Sequence, residues 1–107
     1  MEGFWTVQFS GVQGFGSGSV ILIGGHIFGG DSAFLYTGTY RAEGSNFTAD
    51  VQVNKFAPGM PSVMGQDRFS LALKGALNGN VIAVTGSIPG TPLQFRGNLT
   101  KQAELPR

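Results

Sequence analysis

The sequence has no cysteine and a single histidine. That excludes disulfides, thiolate chemistry and most transition-metal sites. Charge is scarce too: 12% of the residues are Asp, Glu, Lys or Arg, about half the ~25% of an ordinary soluble domain. The net charge of +1 comes without a basic cluster, so no surface dedicated to nucleic acid or to an anionic membrane is expected. No apolar run approaches the ~20 residues that a membrane-spanning helix needs. The chain opens Met1-Glu2-Gly3 and passes straight into Phe4-Trp5-Thr6-Val7-Gln8-Phe9. This start lacks the basic stretch and apolar core of a secretory leader, and a cytoplasmic location is the corresponding expectation. Under that expectation Asn46-Phe47-Thr48 and Asn98-Leu99-Thr100 carry no glycosylation meaning.

Glycine is abundant, 18 of 107 residues, and aromatic residues make up 11%. Glycine costs a helix interior about 1 kcal/mol per residue, so long helices are not expected. The aromatic and β-branched content separates the chain from disordered sequences, and its length fits one domain, residues 1–107.

Period two dominates. Phe47, Ala49, Val51 and Val53 alternate with Thr48, Asp50, Gln52 and Asn54; Phe69, Leu71, Leu73 and Gly75 alternate with Ser70, Ala72, Lys74 and Ala76; Leu93, Phe95, Gly97 and Leu99 alternate with Gln94, Arg96, Asn98 and Thr100. One apolar and one wet face per segment predict antiparallel strands over a core. Phe4–Phe9, Gly18–Ile23, His26–Gly29, Leu35–Arg41 and Val81–Ile88 complete a set of about eight strands. Gly24-Gly25, Ala42-Glu43-Gly44-Ser45 and Asn78-Gly79-Asn80 supply the positive φ of short hairpin turns. Connections so short make sequential neighbours antiparallel. Ser10–Ser17 and Lys55–Gln66 read as longer connections, and residues 102–107 as a flexible tail.

Thr37-Gly38-Thr39-Tyr40, Lys74-Gly75-Ala76-Leu77 and Arg96-Gly97-Asn98-Leu99 form a weak repeat with a glycine on the inward face. Such glycines mark bends or close approaches, as when a sheet curls until its edges meet. The expected fold is all-β, a single small up-and-down antiparallel barrel. Eight strands enclose just enough room for packed side chains or one small ligand.

No convergent acid, base, nucleophile and metal set is visible, so a non-catalytic protein without metal or cofactor is expected. His26 beside its Gly-Gly turn has no second ligand nearby in sequence. Asp31 reads as a turn residue bonding nearby amides, and Asp67 as an isolated carboxylate. The inward aromatic residues Trp5, Phe9, Tyr36 and Tyr40, with Leu71 and Phe95, either fill the barrel or line a small apolar pocket anchored by the tyrosine hydroxyls. Phe56, Val63 and Met64 belong to an apolar loop that reads as a plug over one barrel end, or else as a binding surface. Val20, Ile21, Leu22 and Ile23 are apolar on both faces of their strand. The interior takes only one pair, so the other predicts a homodimer contact, or cover by the Ser10–Ser17 connection.

Three further stretches, in their order and spacing, resemble the GrlR-type negative regulators of type III secretion. They are Gly29-Gly30-Asp31-Ser32 leading into Tyr36-Thr37-Gly38-Thr39-Tyr40, then Pro61-Ser62-Val63-Met64-Gly65, then Thr85-Gly86-Ser87-Ile88-Pro89-Gly90. The likeness spans roughly residues 3–100. It implies an eight-stranded lipocalin-like barrel, a homodimer, and regulation by binding a transcriptional activator protein. The sequence departs from that family at Arg41-Ala42-Glu43-Gly44-Ser45, where one acid stands in place of an acidic Glu-Asp-Glu-Asp stretch. The alternative function is carriage or sensing of a small apolar ligand in the barrel interior.

Overall fold

Alternating apolar and polar side chains build eight strands: β1 (Gly3–Gly11), β2 (Gly14–Ile23), β3 (His26–Gly30), β4 (Phe34–Glu43), β5 (Asn46–Lys55), β6 (Arg68–Asn78), β7 (Val81–Ser87) and β8 (Gln94–Ala103). The structure, a computed structural model, describes residues 1–11, 14–58 and 66–106. Each strand pairs antiparallel with its sequence neighbour, and β1 pairs with β8 to close the barrel. The result is the small lipocalin-like, up-and-down barrel expected from the sequence. Closure gives every strand a hydrogen-bonded neighbour on both sides.

The two ends of the barrel differ. At one end the strands are joined by two-residue turns, Gly24-Gly25, Gly44-Ser45 and Gly79-Asn80, between the pairs Ile23↔His26, Glu43↔Asn46 and Asn78↔Val81. Gly24 and Gly25 both take positive φ, +57° and +81°, the signature of a type I′ turn. The chain start lies here as well: the Trp5 indole N–H donates to the Met1 carbonyl at 3.1 Å, and the Gly24 amide donates to the Glu2 carboxylate at 2.6 Å. Trp5, Leu22, Phe47 and Ile82 are fully buried and pack this end solid. The longer connections, after β3, β5 and β7, all lie at the opposite, open end.

Two segments differ from the sequence expectation. Residues 10–17 are mostly strand rather than a long connection: Ser10 pairs with Phe15 and Gly11 with Gly14. Glycine at positions 11, 14, 16 and 18 hides the alternation there, because glycine has no side chain to be apolar or polar. The tail also begins later than residue 102, since β8 runs to Ala103, which pairs with Phe4 across a bulge.

Strand parity settles which side chains point inward. Val20 and Leu22 are buried at 3% and 0% exposure, whereas Ile21 is half-buried and Ile23 is 40% exposed. Ile21 stands between Phe4 on β1 and Phe28 on β3. The outward side chains of β4–β8 are mainly Thr, Gln, Asn, Lys and Arg. An apolar interior and a largely polar exterior reverse the pattern of a channel-type transmembrane barrel.

Candidate functional site

One half of the barrel holds a half-open cavity of about 1240 Å³, somewhat larger than the ~300–1,000 Å³ of common ligand pockets. Aliphatic side chains including Val20, Ile27, Val51, Leu71, Val84 and Leu99 line it. Above them Phe9, Tyr36 and Phe95 form an aromatic belt. The Phe9 ring stacks on Phe95 with centroids 5.7 Å apart and meets Tyr36 edge-on at 6.4 Å. The belt has room because β2 offers glycine opposite it. A Cβ at Gly16 would lie 3.0 Å from the Phe9 ring, and one at Gly18 would lie 3.1 Å from the Tyr36 ring.

Of the side chains singled out in the sequence as a possible pocket, Phe9, Tyr36, Leu71 and Phe95 line the cavity. Trp5 and Tyr40 do not. They share the inward parity but sit at the packed end, where Tyr40 stacks on Phe47 at 5.9 Å. Thus the barrel is packed in one half and open in the other.

The polar anchor of the cavity is a pair that the sequence reading did not bring together. One oxygen of Asp31 accepts the Ala33 and Phe34 amides at 2.9 and 2.8 Å, which shapes the β3–β4 connection as expected of a turn residue. The other oxygen accepts the Tyr36 hydroxyl. The five-residue spacing across a short connection was the available signal. Burial first, then the hydrogen bond to Asp31 and that carboxylate's charge, push the Tyr36 hydroxyl far above its ordinary range. It therefore stays protonated and keeps donating to Asp31.

This arrangement has a consequence at alkaline pH. In the unfolded chain tyrosine titrates near about 10. Below that, both states hold the proton. As pH rises past it, the unfolded chain ionises first and is favoured, so stability falls. Burial, partly offset by a backbone hydrogen bond at Gly25, raises Tyr40 in the same direction. Denaturant midpoints measured from about pH 9 to pH 11 should fall more steeply for the wild type than for Tyr36→Phe. Parallel curves would show that the hydroxyl is not held as described.

The remaining candidates stand apart from the cavity. His26 is exposed on the outside of β3. Asp67 faces Lys55 at 3.6 Å on the open rim. Among the described residues no group of three or more His, Cys, Asp or Glu could hold a metal ion. Phe56 is 54% exposed rather than tucked over the core, and Pro58 touches the cavity. Val63 and Met64, the other expected plug residues, lie outside the described residues.

Fold and cavity together define a closed eight-stranded barrel with a largely apolar chamber in one half, as lined by the described residues. No protein-family model matches the sequence, and no curated protein matches it.

Proposed function

We propose that the protein is a non-catalytic binding protein whose chamber takes a small apolar molecule. The carrying observation is the cavity of about 1240 Å³ with its aliphatic base, aromatic belt and Asp31–Tyr36 anchor. Pockets of this make-up, mostly apolar with a few fixed polar groups, are how proteins hold small molecules. Trp5 does not line the chamber, so a neutral fluorescent probe, N-phenyl-1-naphthylamine, is the better reporter. It should bind one to one, and Leu71→Asn, which puts an amide among the aliphatic lining, should weaken it by about tenfold or more, or ~1.4 kcal/mol. Absence of binding, or equal binding to a folded Leu71→Asn variant, would refute the reading.

A second reading, regulation by protein–protein contact, is supported by the outer face of β1–β4. Phe4, Ile23, Phe28 and Leu35 are each between 39% and 48% exposed, and Ile21 lies among them. Apolar clusters of this kind mark contact surfaces. A homodimer through this face accounts for both pairs of residues 20–23, one in the core and one in the contact. Ile21→Lys should leave a folded barrel that runs as a monomer in light scattering, whereas Leu22→Lys should unfold it. A wild type that is monomeric across micromolar concentrations would remove this reading. The family resemblance adds a transcriptional activator as partner. Residues 41–45 are exposed with one carboxylate among them, so such a partner would have to use surface other than an acidic turn.

A further inference from the structure

The charge of the chamber restricts what it can hold, given the apolar-ligand reading on which this step rests. The chain carries seven Lys or Arg and six Asp or Glu residues, yet among the described residues Asp31 is the one charged side chain that lines the cavity. Lys55 is engaged by Asp67 at 3.6 Å and is not part of the lining. Arg68 and Arg96 stand on the outer face of their strands, paired in register with Asn54 and Thr85.

The hydrogen-bonding sense of the anchor is equally one-sided. The Tyr36 hydroxyl has one proton, and Asp31 takes it. A hydroxyl that has donated can only accept, and an ionised carboxylate only accepts. Asp31 uses one oxygen on two backbone amides, which leaves acceptor capacity on the other. Ser32 adds a hydroxyl beside them but no charge. A carboxylate or phosphate entering here would meet a like charge in apolar surroundings, where charge repulsion is screened less than in water, with no cation among the described lining residues to offset it. A hydroxyl, amine or ammonium would instead find acceptors waiting.

We infer that the chamber selects an apolar molecule whose polar end donates a hydrogen bond and carries no negative charge. That end sits at Asp31 and Tyr36, and the apolar body lies along Phe9 and Phe95. Ordinary fatty-acid anions are thereby disfavoured.

The test is displacement of bound N-phenyl-1-naphthylamine from the wild type at neutral pH by 1-dodecanol, dodecylamine and dodecanoate, which share a chain length and differ at the head. The alcohol and the amine should displace the probe at concentrations about tenfold or more below those needed for dodecanoate. In Asp31→Asn, which keeps an oxygen for the Ala33 and Phe34 amides and drops the charge, dodecanoate should gain and dodecylamine should lose. Dodecanoate competing as well as dodecanol on the wild type overturns the head-group inference and leaves the chamber standing as a binding site. The same holds if a folded Asp31→Asn variant keeps the wild-type order. A probe that fails to bind at all overturns the chamber as a site, and this inference with it. The wild-type order alone decides the matter should Asp31→Asn not fold.

Discussion

Trp5→Ala should lower the stability of the barrel by about 3–5 kcal/mol, the cost of truncating a large buried aromatic residue. The indole is 1% exposed at the packed end and shares one core cluster with Leu22, Phe47 and Ile82. Two losses add. The emptied volume cannot be refilled, because the two-residue turns beneath it hold the strands in register. The Met1 carbonyl also loses the N–H that it accepts at 3.1 Å, which leaves the chain start held by the Glu2–Gly24 hydrogen bond. Domains of this size have about 5–15 kcal/mol in hand, so the variant should melt far earlier or fail to fold. Denaturant titration followed by circular dichroism reads the effect. As a surface control, Lys74→Ala on the outer face of β6 should stay within about 0.5 kcal/mol of the wild type. Equal losses in the two variants would mean that the packed end is not where the structure places it.

Gly38→Ala should be nearly as damaging although it adds only one methyl group. Gly38 points inward between Tyr36 and Tyr40 on β4. A Cβ there would overlap the carbonyl oxygen of Asp50 and lie 2.9 Å from its carbon and 3.0 Å from the Cα of Val51. All three atoms are backbone of β5, so no rotamer change relieves the clash; the two strands must part. A loss of about 3 kcal/mol or more is expected, at or beyond the upper end of overpacking. Thr37→Ala, one residue away on the outer face, should cost within about 0.5 kcal/mol. A Gly38→Ala protein with an unchanged midpoint would show that β4 and β5 do not approach so closely. Gly75 presents the same problem against the Ala83 carbonyl of β7, so its alanine variant belongs in the same series.

These glycines show what was legible beforehand. The recurring glycine before a large apolar residue in three strands announced a curled sheet, and Gly38 and Gly75 are where backbones crowd; Gly97 is looser, with the nearest atom at 3.0 Å. The period-two segments and glycine turns located all eight strands, because alternation and positive φ are local properties. Three features escaped because they depend on register. Parity made Trp5 and Tyr40 equivalent to Phe9 and Tyr36, and only the pairing of strands tells which end of the barrel each pair occupies. The glycine-rich start of β2 looked like a loop because its apolar cover comes from Phe9 and Tyr36 on other strands. Asp31 was recognised as a turn residue from its neighbours, but its second oxygen is occupied by a side chain that is placed only once β3 and β4 pair.

The seam between β1 and β8 sets the order in which this molecule can come into being. Each other pairing is a hairpin between consecutive strands, whereas the seam joins Phe4 to Ala103 and Ser10 to Arg96. Hairpins form early because their loops are short, while a contact between chain ends carries the largest loop-closure entropy. Until the last strand arrives, β1 and β7 each keep a row of unpaired amides and carbonyls, the kind of edge that recruits other chains. During synthesis, therefore, the first strand made must wait for the last. β1 begins and β8 ends at the packed end, where Phe4 pairs with Ala103, so joining these two strands by a linker and opening the chain at Gly44-Ser45 would move that wait to a different pair of strands without altering the chamber.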